Sequence, residues 1–172
     1  MASKRTIILF RPIASPVYRQ GEIPVQLLAL ARMLMPSHDV RIVTTETGLV
    51  RKTVAQVKAE LAEHLDDCSA LGVTAMTGYA LRQALDMVRF VKQCAPNVPV
   101  VWGGWHASLL PETTLQEPEI DFAVRGQGEQ TFVDLVQALE SGASDFSSFR
   151  DRNTLPASSF SILSPDPSLL NT

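Results

Sequence analysis

Residues Val98–Ser108 read VPVVWGGWHAS, and this stretch decides the architecture. A short apolar run bounded by Pro96 on one side and paired glycines on the other is the pattern of a buried strand. Gly103 and Gly104 mark the point where the backbone leaves that strand's carboxyl end. Two adjacent residues without Cβ allow unusual backbone angles and leave room for a large flat or phosphate-bearing ligand close to the main chain. A plain chain reversal uses the same pair, so the glycines alone do not choose between a turn and a site. Trp105 and His106 follow at once, which places a ring system and a titratable group at the rim.

Upstream, Thr6–Phe10 (TIILF) is apolar or β-branched throughout, as a central strand covered on both faces requires. Ile23, Leu27, Leu30, Ala31 and Leu34 form one helical stripe, with Pro24 early in the helix where its missing N–H is not needed. Asp39–Thr45 is a more polar strand, suited to a place nearer a sheet edge. Val50, Val54, Val57, Leu61 and Leu65 predict a second amphipathic helix. Cys68–Ala75 is the third strand, with Gly72 marking a close approach. The loop AMTGYA then leads into a helix striped by Leu81, Ala84, Leu85, Val88 and Val91.

Downstream, Pro111 starts a short irregular or helical piece through Leu115, and Ile120–Arg125 is the fifth strand. Gly126, Gln127, Gly128 and Glu129 turn into a last helix with Phe132, Leu135, Val136 and Leu139 on one face, stopped by Gly142. Five strands alternating with helices specify an α/β fold with a parallel sheet. The ranking of strand hydrophobicity fits a flavodoxin-like, Rossmann-type three-layer sandwich of order 2-1-3-4-5. Ligands in such a fold sit beyond the strand carboxyl ends, at the switch between strands one and three. These elements fill residues 1–142. Residues 143–172 are rich in Ser and Pro without periodicity and read as a linker or arm, with Phe146, Phe149 or Phe160 as docking points.

The 172 residues suit one domain, able to bury roughly 70% of its unfolded surface. A net charge of -3 gives no basic footprint, which argues against nucleic acid as the main partner. The basic, then apolar amino terminus is too short for a signal or membrane span. Cys68 and Cys94 sit in apolar surroundings and read as buried free thiols of a cytoplasmic protein.

The chemically informative residues all follow strands: Arg11, Ser15 and Gly21 after the first, Thr74, Thr77 and Gly78 after the third, Gly103, Gly104 and His106 after the fourth, and Gly126, Gly128 and Glu129 after the fifth. In this fold those loops converge on one crevice, which favours a ligand site. His106 is either a structural imidazole satisfied by a backbone carbonyl or a donor to a ligand amide or phosphate. Glu129 either stabilises a helix dipole or binds ligand hydroxyls. Thr74 and Thr77 either bond local backbone or line the site. RGQGE is neither a P-loop nor a Rossmann glycine motif, but it offers free N–H groups at a helix start. His38 and His64 lie elsewhere in the chain, and no metal-ligand or nucleophilic triad pattern is visible.

GGWHAS, PETTL and IDFAVRGQGEQTF, in that order, resemble the cobalamin (vitamin B12)-binding domain that precedes the catalytic barrel in B12-dependent radical SAM enzymes. That family's pattern is Gly-Gly-x-His after strand four, then Pro-Glu, then an Asp-containing strand running into RGEGE. GEIPVQLLALARML also looks like the family's first helix, and the resemblance spans about Lys4–Gly142. It implies cobalamin held against the strand carboxyl ends with its nucleotide tail toward the sheet. Gly103 and Gly104 match the glycines along the tail, His106 the family's histidine, and Gly126, Gly128 and Glu129 the fifth-strand loop, with Gln127 where Glu is usual. Thr74 and Thr77 occupy the loop that would line the tail pocket.

Two departures refine that resemblance. The Asp-x-His-x-x-Gly signature that supplies a cobalt-ligating histidine in the methionine-synthase-like branch is absent from RPIASPVYRQG, so no protein histidine is expected on cobalt. The three cysteines of the radical SAM iron–sulfur cluster are absent too, so the cluster and SAM are expected only in a missing domain. The expectation is a cobalamin-binding module, not catalytic by itself, that works beside a radical SAM methyltransferase or cyclase domain. The other reading is a flavodoxin-like sensor or small-molecule enzyme using the crevice for a nucleotide or flavin. A phosphotransfer receiver is disfavoured because VTAMTG lacks the required Asp.

Overall fold

Alternation along the first strand sets the layers. In the computed structural model, which describes residues 4–13, 23–47, 50–146, 149 and 162–163, β1 (Thr6–Arg11) is buried from Thr6 to Phe10. Ile8 and Phe10 point into one apolar cluster, Ile7 and Leu9 into another. A strand with helices on both faces has no solvated side, so TIILF carries no polar alternation.

Around β1 run β2 (Asp39–Thr44), β5 (Cys68–Thr74), β6 (Val100–Gly103) and β7 (Phe122–Val124), all parallel and in the order β2-β1-β5-β6-β7. Counting only these five parallel strands, the order is the expected 2-1-3-4-5. The polar β2 takes the sheet edge, as its composition requires. One face is covered by α2 (Val54–Ala62) and α3 (Tyr79–Cys94), whose Val57, Leu61, Ala84, Met87, Val88 and Val91 pack with Phe10, Val73 and Trp102. The other face carries α1 (Val25–Leu34) and α6 (Glu129–Glu140), through Leu27, Ala31, Leu34, Phe132, Leu135 and Val136. No helix among the described residues is long and apolar enough to cross a membrane.

Four local features depart from the sequence expectation. Val50 belongs to a two-strand hairpin, β3 (Glu46–Thr47) with β4 (Val50–Arg51), and is exposed. The second helix starts only at Val54, where Thr53 and Gln56 form a reciprocal capping box that satisfies two otherwise free N–H groups. Ile23 lies before α1 and is exposed, so the buried stripe of that helix is Leu27, Ala31 and Leu34. Cys94 is exposed, not buried, because the buried stripe of α3 closes at Val91 and Cys94 is the helix's last residue; Cys68 is buried as expected.

The packed body continues past Gly142, whose φ of 73° ends α6. Phe146 and Phe149 are buried in the α1/α6 cluster, and the Phe146 ring lies 5.2 Å from that of Phe122. β8 (Ile162–Leu163) adds an antiparallel strand beside β7, which the Ser/Pro-rich composition did not announce. Ser15, Gly21 and Phe160 lie outside the described residues.

Candidate functional site

Three connections meet at the carboxyl ends of β5, β6 and β7, and hydrogen bonds stitch them together. Thr74 and Gly103 are register partners at the ends of β5 and β6. One residue on, the Ala75 N–H donates to Gly103 O (3.4 Å) and the His106 N–H donates to Ala75 O (3.3 Å). Thr77 Oγ1 and His106 Nδ1 stand 3.2 Å apart, which joins the same two loops through side chains. Beyond Gly104 the chain forms two short helical pieces, α4 (Trp105–Leu109) and α5 (Pro111–Thr114). Within α4, Ser108 Oγ donates to Gly104 O (2.7 Å) and accepts from the Gly126 N–H (2.9 Å), tying the β6 loop to the β7 loop.

The glycine pair divides into two roles. Gly104 has φ 90° and ψ -167°, a region open essentially to glycine alone. A Cβ there would lie 2.6 Å from Thr74 Oγ1 and 3.2 Å from Ala75 O, so the space over Gly104 is filled by the protein itself. The expectation that it leaves room for a ligand is corrected: Gly104 closes one loop onto another. Gly103 is different, since a Cβ there would meet nothing nearer than Val124 O at 3.9 Å and Val73 O at 4.0 Å. The open side of the pair is therefore Gly103.

His106 is buried, and burial lowers its pKa below the ordinary histidine value, keeping the ring neutral near physiological pH. Its ring partner is the Thr77 hydroxyl, not the backbone carbonyl considered from sequence. Gly126 has φ 68°, and Gly128 is the N-cap of α6, with Val124 Cγ1 only 2.7 Å from where its Cβ would stand. Glu129 is the first residue of α6, placed to complement the helix dipole. Thr74, Thr77, Gly103, Gly104, His106, Gly126, Gly128 and Glu129 thus belong to three adjoining loops. Arg11 ends β1 and begins the fourth.

Two residues that sequence reasoning missed complete the picture. Ser108 is the bridge between loops; a hydroxyl bonding back to the carbonyl four residues earlier was its only signal. Thr131, in the first turn of α6, is fully buried, and its Oγ1 has no hydrogen-bond partner among the described residues. A shallow cavity of ≈ 430 Å³ lined by Lys4, Met35, His38, Asp39 and Val40 sits instead at the strand amino ends, away from the convergent loops. No group of three or more His, Cys, Asp or Glu among the described residues is placed to hold a metal ion.

This geometry is a parallel sheet with stitched glycine loops at one end, and residues 17–136 match the family model of the B12 binding domain. The chain belongs to that family. It is 38% identical over 120 residues to an uncharacterized methyltransferase of Pyrococcus horikoshii, covering 69% of this chain and 25% of the relative. It is 29% identical over 141 residues to the anaerobic magnesium-protoporphyrin IX monomethyl ester cyclase of a Synechocystis strain, covering 79% and 28%. The module thus spans about a quarter of these relatives' length. The fold is that of the radical S-adenosylmethionine methyltransferase TsrM of Kitasatospora setae, solved with cobalamin and a [4Fe-4S] cluster, at TM-score 0.67 and 21% identity over 84% of this chain and 26% of that one.

The residues present fit a cobalamin tail. Gly103 carries no side chain and no atom comes nearer than 3.9 Å to where a Cβ would stand, and the polar side chains of the adjoining loops are the Thr77 hydroxyl and a neutral imidazole, suited to amides, a phosphate and sugar hydroxyls.

Proposed function

We propose that this chain is the cobalamin-binding module of a B12-dependent radical SAM methyltransferase or cyclase, holding the cofactor at the carboxyl ends of β5, β6 and β7. The observation that carries the reading is the stitching of these loops around Gly103, in a chain of the B12-binding family. Gly103 gives the nucleotide tail its path along the backbone. With the Thr77 hydroxyl donating to Nδ1, His106 keeps its Nε2–H for a tail oxygen. Glu129 accepts from ligand hydroxyls, and the N–H groups at the start of α6 face negative charge. Bound cobalamin supplies cobalt-centred group-transfer chemistry; the protein supplies position and surroundings.

The iron–sulfur cluster and SAM belong to a separate catalytic domain in this reading. A cytoplasmic location is part of the same reading, and the two free thiols support it. Cobalt carries no histidine from this module. His38 is held by Ser37 and Glu140, while His64 lies in the turn after α2, and only His106 stands near the crevice. Titration with hydroxocobalamin, followed by absorbance, is the test. The expected outcome is one equivalent bound, with a cobalt spectrum that His106→Ala leaves unchanged even where affinity falls. Failure to bind would refute the module, and a lost imidazole signature in the variant would refute the coordination.

A further inference from the structure

A sheet either covers its edges or leaves them as templates for another chain. One edge here is covered, since β8 lies antiparallel beside β7. The other is β2, which pairs with β1 and has no further neighbour among the described residues. Its inner hydrogen bonds fix which groups point outward. The Asp39 N–H donates to Arg5 O (3.0 Å) and the Thr45 N–H to Arg11 O (3.4 Å), so the odd-numbered residues face β1. Backbone groups alternate sides along a strand, which directs the N–H and C=O of Val40 and Ile42 away from the sheet.

The charges on this edge complement themselves. Asp39 and Arg41 share one face of β2, with their side chains 2.6 Å apart and 45% and 49% exposed. An antiparallel copy of the same strand, related by a two-fold axis at Val40, sets Asp39 opposite Arg41 of the second copy and Arg41 opposite its Asp39. The backbone allows that register. Val40 then meets Val40 as a hydrogen-bonded pair, and the charged residues fall in the non-hydrogen-bonded pairs, where side chains come closest.

The helix beside the edge is suited to the same partner. α1 rides over β1 and β2 in a cluster with Ile7, Leu9, Val40 and Ile42. Met35, the C-cap of α1, lines the shallow hollow with Asp39 and Val40, and Leu28 lies two turns earlier on the same side; they are 60% and 46% exposed. Strands sit about 4.8 Å apart, so a sheet continued through β2 brings the two α1 helices to roughly 10 Å, an ordinary packing distance for helices. The helices then run antiparallel, with Met35 of each copy beside Leu28 of the other.

We propose that β2 is the contact between two copies of this chain, which pair antiparallel about Val40 into one continuous sheet. Val40 exchanges both backbone bonds with its counterpart. The Ile42 N–H reaches the His38 carbonyl of the second copy, while the His38 N–H is already held by Leu34 O (2.9 Å). Asp39 and Arg41 set the register, and the exposed side of α1 covers the joint. The contact runs along the sheet edge, so it stands apart from any ligand at the carboxyl ends.

Sedimentation velocity on the whole chain, from about 1 µM to about 1 mM, is the test. Wild type is expected to pass from monomer to dimer over that range. Val40→Pro removes an outward N–H and none of the bonds to β1, a change that edge strands tolerate, and is expected to be monomeric throughout. Asp39→Arg and Arg41→Asp each set like charges opposite one another and should weaken association about tenfold. The double variant Asp39→Arg/Arg41→Asp restores the pairs and should return to within about threefold of wild type. Far-UV circular dichroism checks that each variant is folded, and the charge series decides if Val40→Pro is not. A wild type that stays monomeric at the highest concentration would overturn the proposal. So would a dimer left intact by a folded Val40→Pro, or a double variant as weak as the single ones.

Discussion

Alanine at Gly103 and alanine at Gly104 add the same methyl group one residue apart, yet the structure gives them opposite signs. At Gly104 the backbone sits at φ 90°, so any side chain strains the main chain by about 1–3 kcal/mol. The new Cβ would also stand 2.6 Å from Thr74 Oγ1 and 3.2 Å from Ala75 O, and overpacking of that kind costs about 1–3 kcal/mol more. The sum is a loss of about 2–6 kcal/mol. At roughly 2–4 °C per kcal/mol for a chain of this size, the midpoint should drop by about 4–24 °C. At Gly103 the φ is ordinary for a strand and the Cβ finds contacts only at 3.9 Å and beyond. Removing a glycine's freedom from the unfolded chain there is expected to stabilise by about 0.4–1 kcal/mol. Urea and thermal unfolding of the two ligand-free variants, beside wild type, measure both effects. Hydroxocobalamin titration then asks whether Gly103→Ala binds more weakly despite its stable fold, as it must if the tail runs over that backbone. Equal destabilisation by the two alanines would refute the division of roles. Full cofactor affinity in Gly103→Ala would place the tail elsewhere.

His106 is held neutral by burial, so the unfolded chain takes up a proton that the folded chain refuses as pH falls below the ordinary histidine pKa of about 6.5; stability is complete above that pH and declines below it, and His106→Gln should flatten the decline in thermal midpoints measured from pH 7.5 to 5. Burial pushes the Glu140 carboxyl up, but hydrogen bonds from Ser69 and His38 outweigh it and hold the pKa below the ordinary value, so this contribution is present at neutral pH and lost as acid protonates the folded carboxylate. Ser69→Ala should therefore raise the Glu140 pKa in an NMR titration and lower stability by about 1 kcal/mol at pH 7, with a smaller loss at pH 3. Phe146→Ala removes a buried ring 5.2 Å from Phe122 and should cost about 3–5 kcal/mol in urea unfolding, whereas a segment that only tethered the domain would lose almost nothing.

What the sequence revealed and what it hid follow from how far each signal reaches along the chain. TIILF and PVVW are buried on two faces, and a two-faced strand writes its burial into every residue, so the parallel core was legible without partners. Paired glycines announced a special backbone but not its division of labour. Whether a missing Cβ faces open space or Thr74 depends on a contact with a residue some thirty positions earlier. Ser108 was silent for the same reason: its hydroxyl joins a carbonyl one turn back to an N–H in another loop, and only the fold brings that N–H near. The short strands failed differently. β3, β4 and β8 are two residues each, below any period that a pattern can express, and their pairing is settled by what already stands beside them. Cys94 shows the converse limit, where apolar neighbours along the chain did not become neighbours in space because its helix ended there. Local periodicity thus specifies the layers, while the site depends on contacts between successive strand ends. That is why the glycine loops could be named from sequence as a group but assigned separate tasks only once β5, β6 and β7 stood side by side.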